Sequence, residues 1–175
     1  MNSTLDQLEH DLSASLSGLN ANQTQFHLTD DTTRWSIQQI VQHLLLTYNS
    51  TATALESRLA KGRPTFSRPR PQHRAIQFVV LTLGRMPGGR QAPPEVTPSL
   101  ETTPLSGEQL THEVIKALLR LDDIFTQAEE TFGSIPCQSH FVLGPLSASQ
   151  WRRFHLTHGR HHIRQILAIR RAHRL

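Results

Sequence analysis

Residues 151–165, WRRFHLTHGRHHIRQ, form the stretch that decides the fold. At about 100° per residue, a helix through this stretch places apolar and histidine side chains along one stripe. Arginines fall on the opposite face, which indicates that this face meets water. Two imidazoles within a buried stripe are costly unless a partner satisfies them. The stripe consists of Trp151, Phe154, His158, His162, Ile166 and Ile169, and the arginines are Arg153, Arg160, Arg164 and Arg171.

The two histidines of the stripe have a spacing that suits metal binding. His158 and His162 are four residues apart, so a helix places their Cβ atoms about 5–6 Å from each other on one face. Because the chain contains 11 histidines, the spacing alone is a weak signal, and the position within the stripe strengthens it. A core imidazole bonded to a carbonyl is the alternative for each ring. The zincin class is excluded, because Gly159 stands where that motif requires glutamate.

Four main helices are predicted along the chain. Three S-x-x-Q segments, at residues 36–39, 106–109 and 147–150, have the capping-box form, and each precedes a run with helical apolar spacing. A helix near the start is predicted from the same pattern at residues 4–7, followed by leucines at positions 5, 8, 12, 16 and 19. The predicted fold class is therefore all-α, in a single domain of residues 1–175.

The connection between the second and third helices is long and irregular. Eight of the ten prolines lie in residues 62–104, which excludes a continuous helix there. Within it, AIQFVVLTL at residues 75–83 is apolar enough for a short helix or a strand, and we expect a short helix that covers one end of the molecule. Long helices with one long connection indicate a four-helix bundle with a crossover. Residues 133–146 are expected to form a loop.

Composition limits the classes of function. No apolar run approaches the roughly 20 residues that a membrane span needs, and the first residues lack the pattern of a signal peptide. The net charge is only +4 despite a pI near 10.2, and stacking aromatics are few, so a solvated basic face is favoured over nucleic-acid binding. A single cysteine, Cys137, fits a reducing compartment. We expect a cytoplasmic protein without a membrane or nucleic-acid partner, in which Cys137 is structural.

Three segments carry a family resemblance: WSIQQIVQHL at residues 35–44, HFVLGPLSASQW at 140–151 and HGRHHIRQI at 158–166. Together they resemble the DinB-like (YfiT-like) superfamily of metal-dependent four-helix bundles, and more narrowly a branch known as a domain of unknown function. The resemblance implies that His43, on the flank of the second helix, binds a divalent metal together with His158 and His162. His161 is not implied as a ligand, and residues 62–104 match no motif.

A site of three neutral imidazoles leaves at least one coordination position open, as in catalytic zinc sites. Such ligation suits Zn, Ni, Cu or Fe, and the bound ion can activate water or a thiolate. The resemblance points to a metal-dependent transferase or hydrolase acting on a small molecule, with low-molecular-weight thiols as one substrate class, and it allows a homodimer. The alternatives are a non-catalytic metal-binding or stress-related protein and a nucleic-acid-associated protein.

The remaining polar residues give weaker indications. Gln165 can supply a hydrogen bond to a ligand or to substrate, or simply end the stripe. His155 also faces the stripe and is either part of a pocket or a core histidine. No general base can be named from the sequence. The carboxylates considered are Asp30, Asp31, Glu56, Glu113 and Asp122, most of which are expected at the surface.

Overall fold

The computed structural model describes residues 1–28, 34–65, 67–88, 91–99 and 103–175. Within these ranges the chain is mostly helical, with five α-helices and one two-stranded antiparallel hairpin. A π-helical turn at Phe78–Thr82 continues the short third helix, and 3-10 turns lie at Gln23–Gln25 and Pro94–Val96. The elements are α1 (Ser3–Leu16), α2 (Ile37–Ala60), α3 (Pro71–Gln77), α4 (Gly107–Phe132), β1 (Gln138–His140), β2 (Gly144–Leu146) and α5 (Ala148–His173).

The three predicted capping boxes are confirmed. At the start of α2, Gln39 N donates to Ser36 Oγ at 3.2 Å and Ser36 N donates back to Gln39 Oε1 at 2.9 Å. The same reciprocal pair begins α4 at Ser106 and α5 at Ser147. Each box satisfies two backbone N–H groups that the first helical turn leaves without a partner. Capping chemistry therefore fixes where all three of these helices begin.

The capping box predicted at residues 4–7 is wrong. The N-cap of α1 is Asn2, whose Oδ1 accepts a hydrogen bond from Thr4 N at 3.0 Å. Asparagine is at least as good an N-cap as threonine, so the helix gains residues by starting upstream of Thr4. The leucine pattern that predicted the helix is confirmed, since all five leucines are buried.

The long helices pack on one another through apolar stripes. α1 lies against α4 and α5, α2 lies against α4, and α5 also contacts α2 and α4. The predicted stripe of α5 is buried along its whole length. Gly159 explains how closely α1 approaches it, because a Cβ there would lie 2.3 Å from Leu8 Cδ1. A glycine directly after His158 thus lets Leu8 pack against the helix that carries the histidines.

The connection between α2 and α4 is tied to the helices at several points. The predicted short helix is confirmed as helical, although it begins at Pro71 and passes into the π-helical turn. Thr157 Oγ1 on α5 donates to Val80 O at 3.0 Å, which fixes this turn to α5. Gln77 Nε2 donates to Leu143 O at 2.7 Å, which joins the connection to the β-hairpin.

The hairpin itself was expected to be a loop. Its strands have three residues each, with Ser139 opposite Pro145, and Cys137 N extends the ladder by donating to Leu146 O at 2.9 Å. Strands this short, one of them containing proline, leave no readable alternation in the sequence. Among the described residues, no helix is both long and apolar enough to cross a membrane.

Candidate metal centre

Three buried histidines from two helices converge on one point. His43 comes from α2, and His158 and His162 come from adjacent turns of α5. His158 Nε2 lies 3.3 Å from His43 Nε2 and 3.1 Å from His162 Nε2. The three ligand nitrogens all lie within 4.8 Å of one another, close enough to hold one metal ion. We refer to His43, His158 and His162 as the histidine trio.

In two rings of the trio, a hydrogen bond at Nδ1 determines that the lone pair lies on Nε2. His43 Nδ1 lies 2.7 Å from Val96 O, and His162 Nδ1 lies 2.7 Å from Gln165 Oε1. An oxygen of this kind only accepts a hydrogen bond, so each Nδ1 carries the ring proton. Nε2 of both rings then presents a lone pair to the centre of the trio. Metal-ligating histidines are oriented by just such an outer hydrogen bond.

Two of the nitrogen–nitrogen distances within the trio, 3.1 and 3.3 Å, are close to the edge of a coordination tetrahedron. Ligand nitrogens about 2.0–2.1 Å from a tetrahedral zinc ion are about 3.3–3.4 Å apart. Hydrogen bonding alone does not satisfy the arrangement, because His158 Nε2 carries at most one proton and faces two lone pairs. A cation at the centre attracts all three nitrogens at once. The donor set therefore fits a divalent metal.

Burial keeps the three rings in the form that binds metal. Loss of water lowers the pKa of His43, lowers the pKa of His158 well below its ordinary value, and lowers the pKa of His162 to about 3. Proximity of the other trio members is the second cause for His158 and His162. The imidazoles are therefore neutral near pH 7, and a neutral imidazole is the metal ligand.

One side of the trio opens into a cavity of about 230 Å³. We refer to this cavity as the chamber. All three trio residues line it, together with Trp35, whose ring centroid lies 4.8 Å from that of His43. Phe154 stacks on His158 with the ring planes only 11° apart. Other lining residues come from the connection between α2 and α4 and from the hairpin. The trio is thus enclosed on its helical side and accessible from the chamber.

The other histidines of α5 take different positions. His161 is half-buried and its Nε2 lies 3.3 Å from Gln165 Nε2, so it contacts the residue that orients His162. Gln165 makes the predicted hydrogen bond to a trio ring. His155 is a core residue: it is fully buried, and its ring packs on Tyr48 and Phe125. The structure therefore places His155 outside the chamber.

None of the candidate carboxylates in the described residues lines the chamber. Asp30 and Asp31 lie outside the described residues. Glu56 is exposed and pairs with Arg120 at 2.9 Å, and Glu113 is also exposed. Asp122 is the exception to the expected surface position.

Asp122 is buried. Its Oδ1 accepts from Arg152 Nε at 3.1 Å, and its Oδ2 accepts from Asn2 N at 2.8 Å. This contact joins α1, α4 and α5 away from the trio. Cys137 is also buried, and burial raises the pKa of its thiol to about 11, which suits the predicted structural role.

Two features of the site were not predicted from the sequence. Val96 contributes a main-chain carbonyl, an atom that every residue carries, from 53 positions away. His140 lines the chamber from the hairpin, which was expected to be a loop. In the sequence the motif HFVLGPL contributes only to the family resemblance. Its histidine could have been found by asking which polar residues the short strands present to the last helix.

One protein-family model matches residues 4–168, nearly the whole chain. The family carries the description "Protein of unknown function (DUF1569)". No curated protein and no solved structure matches the chain.

Proposed function

Because the chain belongs to the family of proteins of unknown function DUF1569, its activity has to be inferred from its site, and we propose that it is a metal-dependent enzyme. In this proposal His43, His158 and His162 hold one divalent cation and leave a coordination position open toward the chamber. The observation that carries the proposal is the convergence of three buried, neutral imidazoles on the wall of a cavity.

The proposal includes the architecture. We propose a single-domain four-helix bundle of the DinB-like type, in which α1, α2, α4 and α5 are the bundle helices. The contacts among these four helices support this architecture, as does the long connection between α2 and α4. The positions of the histidines also support it, with one on the second bundle helix and an H-x3-H pair on the fourth.

The ligand set favours zinc, nickel or iron as the metal. Neutral imidazoles suit each of these ions, whereas magnesium and calcium require oxygen ligands. The separations of 3.1 and 3.3 Å between Nε2 atoms fit a tetrahedral ion, for which zinc is the usual occupant. Val96 O and Gln165 Oε1 would keep the rings of His43 and His162 aimed at the ion.

The open chamber favours a catalytic role for the metal over a structural role. Structural zinc sites are closed by four protein ligands, whereas catalytic sites keep a position for water or substrate. The metal would supply Lewis acidity, activating a water or a substrate thiol. The residues of the chain would exclude bulk water, hold the imidazoles neutral and admit a small molecule through the chamber. Hydrolysis and thiol-dependent group transfer are the two reaction classes that this arrangement supports.

The test begins with the metal content of three proteins: wild type, His162→Ala and His112→Ala. His112 is an exposed histidine on α4, so its variant controls for the loss of an imidazole. After dialysis against zinc and then against metal-free buffer, we expect one zinc per chain in wild type and in His112→Ala, and a large loss in His162→Ala.

Turnover of a panel of small esters and of thiols paired with electrophiles is then compared. Activity in wild type and His112→Ala that disappears in His162→Ala supports a metal-dependent enzyme. Retained zinc without any turnover in the panel favours the non-catalytic metal-binding protein. Equal zinc content in all three proteins overturns the proposed site.

A further inference from the structure

The chamber has a distinctive chemical character. Among its lining residues in the described part of the chain, none is an aspartate, glutamate, lysine or arginine. The lining from the connection and the hairpin is largely apolar and includes Val80, Met86, Val142 and Leu143. A volume of about 230 Å³ is smaller than the roughly 300–1,000 Å³ of pockets that hold drug-sized ligands. The chamber therefore suits a small and largely apolar molecule.

His140 is one of the polar side chains on the lining away from α5, together with Gln91 and with Thr47, whose hydroxyl already donates to a main-chain carbonyl of α2. The His140 Nδ1 accepts hydrogen bonds from Val142 N at 3.0 Å and Leu143 N at 3.2 Å, both within its own hairpin turn. A neutral imidazole that accepts at Nδ1 carries its proton at Nε2. The hairpin backbone thus fixes the tautomer and leaves an N–H donor on the other edge of the ring.

That donor is available to a ligand. His140 Nε2 makes no hydrogen bond to the described residues, and it is not among the buried polar atoms sealed from solvent. The ring lines the chamber and packs on Phe154, with 4.6 Å between ring centroids. Phe154 in turn stacks on His158 at 5.3 Å. One phenyl ring therefore separates the His140 donor from the trio. Burial lowers the pKa of His140 to about 4, so the donor is uncharged near pH 7.

We propose that the chamber binds a small molecule whose body is apolar and uncharged, with one group on the cation and one acceptor atom on His140 Nε2–H. His140 would then be the residue that orients the substrate and selects for an acceptor. This inference rests on the proposed function, because the cation anchors one end of the ligand. It also narrows the thiol class to thiols without a carboxylate.

A second charge in the chamber would be unfavourable. A carboxylate that leaves water for an apolar cavity loses its hydration, and no lysine or arginine among the described lining residues replaces it. Arg34 and Arg164 line a neighbouring cleft and not the chamber. A donor such as neutral His140 compensates a carbonyl or ether oxygen but not a full negative charge.

Benzohydroxamic acids provide the probes, because the hydroxamate chelates a divalent metal through both of its oxygens while a para substituent can carry a separate acceptor atom for His140. Zinc-loaded protein is titrated in a calorimeter with 4-acetylbenzohydroxamic acid, with benzohydroxamic acid, which lacks the second acceptor, and with 4-carboxybenzohydroxamic acid. The variant is His140→Asn, whose amide oxygen replaces Nδ1 as the acceptor for the hairpin but supplies no donor at the Nε2 position. His112→Asn, at an exposed position of α4, is the matched control.

For wild type we expect the 4-acetyl probe to bind about threefold to tenfold more tightly than benzohydroxamic acid, because its ketone oxygen accepts from His140 Nε2–H. It should bind at least tenfold more tightly than the carboxylated probe, because the carboxylate loses its hydration in the chamber. His140→Asn should bind the 4-acetyl probe about threefold to tenfold more weakly than wild type does, with the affinity for benzohydroxamic acid unchanged and one zinc held per chain. His112→Asn should equal wild type.

Equal affinity for all three probes, or an unchanged affinity of His140→Asn for the 4-acetyl probe with zinc retained, overturns the inference and leaves the proposed metal site intact. Absence of zinc from the wild-type protein overturns both. If His140→Asn loses helical content, His140→Gln takes its place: its amide N–H stands near the Nε2 position, and affinity within about twofold of wild type is then required.

Discussion

Replacement of His155 by leucine should stabilise the protein, and by a larger margin at pH 5 than at pH 7. His155 is fully buried against Tyr48 and Phe125, and neither of its ring nitrogens has a hydrogen-bond partner in the described residues. The hydroxyl of Tyr48 is buried as well and has no hydrogen-bond partner within the part of the chain that the structure describes. An unsatisfied buried polar group costs about 1–3 kcal/mol. Leucine has a similar size and no such group, so a gain of this order is expected at pH 7.

The pH dependence of the stability difference separates ionisation of the imidazole from the change in packing, because the packing contribution does not vary with pH. Burial lowers the pKa of His155 from 6.5 in water to about 3 in the folded protein, and the nearby His140 is a smaller cause. A group with a lowered folded pKa contributes its full stability above the unfolded value, and the contribution is lost as pH falls from 6.5 toward 3. Between pH 7 and pH 5 the unfolded chain binds about 0.7 of a proton more at this imidazole, whereas the folded chain binds almost none. The linkage relation converts this into about 2 kcal/mol.

Urea unfolding at pH 7 and pH 5 measures the effect. EDTA in both buffers removes any contribution from bound metal, and the free energy of unfolding is compared between wild type, His155→Leu and the exposed control His112→Leu. The advantage of His155→Leu over wild type should grow by about 2 kcal/mol on going to pH 5. The control should show no such growth, because the His112 side chain is exposed in the folded protein. An advantage of His155→Leu that is the same at both pH values would refute the buried, neutral imidazole.

Further consequences concern the metal and the buried ion pair. Removing zinc with a chelator should lower the stability by about 2.7 kcal/mol if free zinc was at 100 times its Kd, measured as a fall in Tm of roughly 5–10 °C. Zinc affinity should be nearly constant from pH 7 to pH 6, because burial lowers the pKa of His162 to about 3 and protons compete only at lower pH; a tenfold fall at pH 6 in a dye-competition titration would contradict this. Gln165→Leu should weaken zinc binding about 10–100-fold in the same titration with the helical content unchanged, because it removes the partner of His162 Nδ1. Asp122→Asn should destabilise the protein by about 1–3 kcal/mol in urea, because the buried Arg152 loses the carboxylate that accepts from its Nε at 3.1 Å. Glu129 on α4 still pairs with Arg152 Nη1 at 2.5 Å, and a change below about 1 kcal/mol would mean that this second carboxylate suffices.

The starts of three helices could be predicted from the sequence because the determining interactions are local. Each S-x-x-Q box closes two hydrogen bonds within four residues, and the apolar spacing that follows decides which face is buried. At the start of α1 two residues compete for the N-cap, and a pattern match does not rank Asn2 against Thr4. The structure resolves that competition in favour of the residue that lengthens the helix.

The pairing of His158 and His162 was readable for the same reason, because a helix fixes the relation between residues four apart. The third member was not fixed in this way. Its position on the flank of α2 was compatible with several neighbours, and the resemblance supplied the choice. The packing of α2 beside α5 brings His43 to the other two, and such a contact between residues 115 apart has no local signal.

The chamber was the least predictable part of the site, because it is built from irregular backbone. The turn after α3, the segment that reaches Val96 and the hairpin that carries His140 are shaped by prolines, a π-helical turn and main-chain hydrogen bonds. Main-chain carbonyls and amides belong to every residue type, so their use leaves no trace in the sequence. The helices thus position the metal ligands through side-chain patterns that can be recognised in the sequence. The connections determine which molecules reach the ligands, and they do so largely through backbone groups that the sequence does not reveal.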